Sequence, residues 1–202
     1  MATQSRGEET HNRILDAALE AFAQEGYDDT SVAEICRRAG VTKGGFYHHF
    51  PSKQSVFLEL LARWLERIDT QLMAAHTGEH TVREELIAMT AMVDHIFQEA
   101  GNQLPVFLEV LIEARHNPVV WQVIVDPFRK YRAFFGHVVQ AGMNDGSLRP
   151  VDPELASDLL MSFAVGVLAV GLLDPQAAAW GQVAQKGMIM LLEGLQKPKE
   201  SE

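Results

Sequence analysis

The chain has 202 residues, 47% of them hydrophobic, which is enough apolar material to bury a core in one or two domains. Its formal net charge of −10 excludes a general affinity for polyanions, so any such affinity has to be local. Met1 to Gly7 is polar and lacks the apolar stretch of a secretion signal, and the one cysteine, Cys36, permits no intramolecular disulfide; both fit a reducing cytoplasm.

The first predicted helix runs from about Glu8 to Glu25, with Ile14, Ala18, Ala21 and Phe22 as its apolar stripe and Gly26 as its stop. Two short helices then follow between Ser31 and Phe50. Ser31 and Glu34 have the spacing of a capping box, Val32, Ile35 and Ala39 share a helical face, and Gly40 supplies the left-handed residue that ends the helix. Thr42 can cap the next one, and Pro51 ends it by forcing Phe50 out of the helical region. Phe46 and Phe50, four apart, anchor that helix and leave its other face free. This is the grammar of a helix-turn-helix.

The free face carries Lys43, Tyr47 and His48, close to Arg37, Arg38 and Lys53. From Ile35 to Leu58 there are four Lys or Arg and no Asp or Glu, so this window carries +4 and the rest of the chain −14. Clustered cations of this kind suit a phosphate backbone, which rewards them by counterion release. Cys36 lies beside two arginines that could activate its thiol, but it reads as a small core residue. His48 and His49 are adjacent and point about 100° apart on a helix, which makes them poor joint metal ligands.

Thr30 to Lys53, with Ala33-Glu34-Ile35, Ala39-Gly40-Val41-Thr42-Lys43-Gly44, Phe46-Tyr47-His48-His49-Phe50 and Ser52-Lys53, resembles the DNA-binding signature of the tetracycline-repressor (TetR) family of bacterial transcriptional regulators. The approach from Arg13 through Phe22 to Gly26-Tyr27 resembles the family's first helix. The resemblance implies that Thr42, Tyr47, His48 and Lys53, with Thr30 or Ser31, hold phosphates, and that Lys43 and Gly44 lie nearest the base edges. The family often has threonine or serine where Gly45 stands and leucine where Phe46 stands, so this chain lacks one side chain of the family's reading face.

A fourth helix capped by Ser52 carries Val56, Leu60, Trp64, Ile68 and Leu72 over about five turns. It is too long to serve the reading module alone and is expected to connect that module to the remainder. His76-Thr77-Gly78-Glu79-His80 matches a zinc-peptidase pattern, but Gly78 and the missing apolar periodicity make it a linker. Thr81 and Glu84 then start a helix expected over Val82 to Ala100. Asn117-Pro118, Asp126-Pro127, Asp152-Pro153 and Asp174-Pro175 each pair an N-cap residue with a proline suited to the first helical position. They predict helices at about Pro105 to Arg115, at Pro118 to Met143 with a break or kink at Asp126-Pro127, at Pro153 to Leu172 and at Pro175 to Leu195. No segment alternates with period two, and no internal repeat is present.

Leu159 to Leu173 is the longest apolar run, too short at fifteen residues to span a bilayer and better suited to a helix buried on nearly every side. Ala164, Gly166, Ala169 and Gly171 allow close approach of a second helix across a two-fold axis. The resemblance implies a homodimer formed by the last two helices, about 153–195. Two reading helices so related enter successive major grooves about 34 Å apart and call for a palindromic operator.

In the resembled family the middle helices enclose a small-molecule pocket. The large side chains available here are Met89, Met92, Phe97, Phe107, Trp121, Phe128, Tyr131, Phe134 and Phe135, with His95, Glu109, Glu113, His116 and Tyr131 as polar candidates. The expected protein is therefore all-α with about nine helices: a helix-turn-helix DNA-binding domain at 8–53, its motif at 31–50, and a ligand-binding and dimerisation domain at 54–195. It needs no cofactor or metal, binds double-stranded operator DNA and a small-molecule effector, and involves no membrane. Two other classes compete: a helical zinc-dependent hydrolase using His76, Glu79 and His80, and a helical scaffold that does not bind DNA.

Overall fold

A computed structural model describes residues 2–76, 80–100 and 113–195, without the side chains of 2–5 and 98–100. Nine helices are delimited among the described residues: α1 Ala2–Glu25, α2 Val32–Ala39, α3 Lys43–His49, α4 Lys53–Ala75, α5 Val82–Met89, α6 Ala91–Ala100, α7 Pro118–Asn144, α8 Pro153–Leu173 and α9 Trp180–Leu195. Residues 113–116 are also helical, and no strand occurs among the described residues. Most of the helix expected at Pro105 to Arg115 lies outside them, as do Phe107, Glu109 and Glu79.

Local chemistry accounts for the helix ends. The Ser31 hydroxyl accepts from the Glu34 N–H at 3.1 Å, Gly40 takes φ 64° at the end of α2, and the Thr42 hydroxyl accepts from the Gly45 N–H at 3.0 Å. Thr81 and Glu84 form a complete capping box on α5. Asn117 caps α7 through the Val119 N–H at 3.1 Å, and Asp152 caps α8 through the Glu154 N–H at 2.9 Å.

Four expectations are corrected. The helix foreseen from Val82 to Ala100 is two helices, because the Thr90 hydroxyl and N–H both turn back to the Ile87 carbonyl. Pro127 lies inside a continuous α7, so Asp126-Pro127 starts nothing; the missing N–H costs one ladder bond and the helix runs on. Asp174-Pro175 opens a turn, and the last helix begins only at Trp180, whose indole N–H donates to the Asp174 carbonyl at 3.0 Å. Finally, α8 has 21 residues, which by length and composition alone would cross a membrane, and part of its surface is exposed within the chain. It is nevertheless tied to α7: the Ser157 hydroxyl donates to the Arg132 carbonyl at 2.6 Å, and Arg132 pairs with Asp158 and Glu154.

The chain divides into two compact units, Met1–Glu66 with Ala100–Ile124, and Arg67–Glu99 with Val125–Glu202. In the first, Ile14, Leu15, Ala18, Phe22, Ile35, Phe46, Phe50, Val56, Phe57 and Leu61 make a core that Ala114 and Val120 also enter. This grouping differs from the 53/54 division drawn on the sequence, because apolar residues distant in the chain complete the core around the helix-turn-helix. In the second, Leu72, Leu86, Met89, Val138, Val139, Leu148, Leu160 and Leu192 form one cluster, and Val93, Val167 and Ala184 another. Both α4 and α7 run across the division.

Candidate nucleic-acid interface

The candidate site is the exposed face of α3. Phe46 and Phe50 are buried, which fixes the helix on its support, and Thr42, Lys43, Gly44, Tyr47 and His48 are exposed together. Tyr47 meets the buried Phe46 ring edge-on at 5.3 Å yet remains 55% exposed, a large aromatic ring turned mostly to solvent. A Cβ added at Gly44 or Gly45 would make only ordinary contact with Thr42 and Val41, so bare backbone here is not demanded by the fold. Ser31, at the start of α2, is exposed as well.

The other members of the predicted cationic strip are paired within the chain. Arg37 pairs bidentately with Glu34 at 2.5 and 2.8 Å. Arg38, only 17% exposed, donates to Glu34 at 2.6 Å, Gln24 at 2.8 Å and Glu25 at 2.6 Å, and so pins α2 to α1. Glu34 therefore spends its carboxylate on the two arginines and not on closing the capping box. Their hydrogen bonds, Arg37 first, hold its pKa down to about 2. The Lys53 ammonium donates to the carbonyls of Tyr27 at 2.6 Å, Thr30 at 2.9 Å and Asp28 at 3.2 Å, and lies 4.3 Å from the centre of the Tyr27 ring. Its three donors are used. Thr30 is 1% exposed and its hydroxyl donates to the Gly26 carbonyl at 2.7 Å, so it is closed to a phosphate. The sequence reading grouped Thr30 and Lys53 with the DNA contacts; the geometry makes them the clasp that joins the α1–α2 loop to α4.

Behind α3 stands a histidine cluster. The His11 ring stacks on Phe50 at 4.4 Å, meets His49 edge-on at 5.8 Å and has Nε2 2.7 Å from Glu59 Oε1; His48 and His49 are 5.2 Å apart. Burial, then His48 and His11, push the His49 pKa down. Burial pushes the Cys36 thiol up, against the pull of Lys43, so it is a core residue and not an activated thiolate.

Of the described large side chains named for the effector pocket, Trp121 belongs to the first unit and the others to the second. Met89, Tyr131 and Phe135 belong to one cluster of the second unit and Phe97 to the other, while Met92 is half-buried. Trp121 and Phe128 are 50% and 42% exposed and point outward. His95 and His116 are exposed, and Glu113 accepts from the Asn117 amide at 3.0 Å within the first unit. Sequence reasoning missed two polar groups of the second unit: Asp69 Oδ1 and Arg83 Nη1 are buried without hydrogen-bond partners. No sequence pattern marks them, because their burial comes from neighbouring helices. Lys130 holds the other oxygen of Asp69 at 2.5 Å, and burial, then Asp69, pushes the Tyr131 phenol up to about 12. His76, the first residue of the zinc-like pattern, has Nδ1 2.7 Å from buried Glu85 and its ring edge-on to Phe134.

A short helix held by its aromatic underside, with a hydroxyl, an ammonium, a phenol and an imidazole outward, defines a helix-turn-helix DNA-binding regulator. The family description "Bacterial regulatory proteins, tetR family" matches residues 14–60. The Escherichia coli K12 transcriptional regulator UidR is 28% identical over 171 residues, covering 82% of this chain and 83% of UidR. Among solved structures, Salmonella enterica GusR superposes with a TM-score of 0.71 at 26% identity, covering 91% of this chain and 95% of GusR. A tetR-family regulatory protein from Rhodococcus RHA1 shares the fold, with a TM-score of 0.77 at 22% identity over 94% of this chain and 98% of that one. The chain belongs to the TetR family of transcriptional regulators, which are DNA-binding proteins of the bacterial cytoplasm, typically ligand-responsive repressors, and not enzymes. Nothing supports the hydrolase or the scaffold.

Proposed function

We propose that the chain represses transcription as a homodimer on a palindromic operator and leaves it when a small molecule binds the second unit. The observation that carries this is the joint exposure of Thr42, Lys43, Gly44, Tyr47 and His48 on a helix otherwise sealed into the core. Lys43 and Gly44 approach the base edges in the major groove, and Thr42, Tyr47, His48 and Ser31 hold the flanking phosphates. Thr30 and Lys53 keep the α1–α2 loop and α4 in place behind them. The DNA-reading domain spans about 8–53 and the effector and dimerisation domain about 54–195.

Dimerisation through α8 and α9 is supported by the apolar stripe these helices leave uncovered. Leu155, Leu159, Val170 and Leu173 on α8 fall at helical spacing with Ser162 and Gly166, and Val183 and Met190 on α9 are exposed too. The effector site lies in the second unit, where Met89, Tyr131 and Phe135 give apolar walls and the unsatisfied atoms of Asp69 and Arg83 give polar handles. Bound to its operator, the protein is associated with the nucleoid.

The test is fluorescence anisotropy on duplexes recovered by selection from random sequence, at two salt concentrations, with Lys43→Ala and Tyr47→Ala alongside. Tight binding to a palindrome that weakens steeply with salt and is lost in both variants is the expected result. Salt-insensitive binding, or variants as tight as the wild type, overturns the reading.

A further inference from the structure

The charge facing DNA is smaller than the sequence advertises. Of the four Lys and Arg in the window Ile35–Leu58, Arg37 and Arg38 are neutralised by Glu34 and Glu25, and Lys53 is spent on three carbonyls. That leaves Lys43 as the window's one fixed cation not held by the chain, among the described residues. The next exposed group of α3 able to carry positive charge is His48, five residues further along the helix. Imidazole is the side chain whose charge ordinarily changes between pH 5 and 8. A phosphate binds the charged ring and not the neutral one, so a phosphate contact at this position takes up a proton.

We propose that operator binding by this regulator is proton-coupled through His48, tightening as the pH falls from 8 to 6. The proposal rests on the DNA-binding reading above and concerns how that same surface is regulated. Protonation of His48 takes the exposed face of α3 from one positive charge to two, which is a large relative change for a helix with so few cations.

His48 has an imidazole for its neighbour. On its own helix it faces His49. Behind His49 stands His11 of α1, with Glu8 of α1 and Arg63 of α4 lining the same cleft of about 450 Å³ and Glu59 of α4 against His11. Glu59 also accepts from Arg63 at 2.9 Å. His49, partly buried beside two other imidazoles, has its pKa pushed down by burial, then by His48 and His11, and so resists charging. Its ring serves the packing of α3 on α1.

The test is the dissociation constant for a duplex selected from random sequence, measured by anisotropy at pH 8 and pH 6 at constant ionic strength, with the salt slope at each pH. The wild type should tighten about fivefold or more at pH 6, and its slope against log salt should steepen by about 0.9, the signature of one more phosphate contact. His48→Gln should lose both changes, and His48→Arg should bind tightly with no pH response. A pH response retained in His48→Gln, or a wild type equally tight at both values, overturns the proposal. Lys43→Ala at pH 8 separates the two ideas: if it binds as tightly as the wild type, the reading of α3 itself fails and the proton coupling falls with it.

Discussion

Lys43 and Lys53 are both lysines of the reading module, and their surroundings give them opposite duties. Lys43 is exposed on α3, on the side proposed to meet base edges, so Lys43→Ala should weaken operator binding by about 1–3 kcal/mol and relax base preference more than it flattens the slope of log affinity against log salt. Lys53 bonds three carbonyls, so Lys53→Met should leave that slope unchanged and lower the stability of the fold by about 1–3 kcal/mol, read as a fall in the urea midpoint. An unchanged midpoint with a shallower slope would return Lys53 to the phosphate contacts. Glu34 supplies a pH dependence. Its folded pKa of about 2 lies below the ordinary value near 4.5, so its contribution is fully present above about 4.5 and is lost as the pH falls toward 2. Glu34→Gln should therefore make urea stability less sensitive to pH across that interval, and an identical profile in the variant would assign the acid sensitivity elsewhere.

At the scale of the elements, glycines divide by what surrounds them. Gly40 takes φ 64° where α2 ends, and Gly40→Ala should cost about 1–2 kcal/mol because an L side chain strains there. Gly171 of α8 is ordinary helix, yet a methyl there would collide with the rings of Phe97 and Trp180. Gly171→Ala should destabilise the second unit by about 1–3 kcal/mol, a drop of several degrees in the melting temperature. An unchanged melting temperature would mean that these rings move aside freely. Gly166 on the same helix faces open space, so it is available to a second copy, whereas Gly171 is already used within the chain.

For the whole molecule, the exposed apolar stripe of α8 is the feature with the largest consequence. A monomer gains nothing from leaving Leu155, Leu159 and Leu173 in water, and Leu173 is 77% exposed. Leu159→Glu places a charge in the centre of that stripe. It should give a folded monomer by sedimentation velocity, with helical content unchanged and operator affinity reduced at least a hundredfold, because one half-site replaces two. A dimer that survives the substitution would move the interface off α8.

The amino-acid order determined the local decisions. Ser31, Gly40, Thr42 and Pro51 set the ends of α2 and α3, and the spacing of Phe46 and Phe50 set which face of α3 is left outside, since these effects act within one or two turns. The same locality made the starts of α5, α7 and α8 legible from Thr81, Asn117 and Asp152. It misled at Asp126-Pro127, where the helix already begun at Pro118 runs on through the proline, and at Asp174-Pro175, where the chain turns and the Trp180 indole N–H donates to the Asp174 carbonyl. What only the tertiary structure decided is which charges are free. Arg38, Lys53 and Thr30 look like surface residues in the sequence and become internal ties once α1, α2 and α4 meet, because hydrogen-bond partners 13 to 26 residues away reach them only in the folded chain. Asp69 and Arg83 likewise acquire their buried, unsatisfied atoms from neighbouring helices, and no local pattern encodes that.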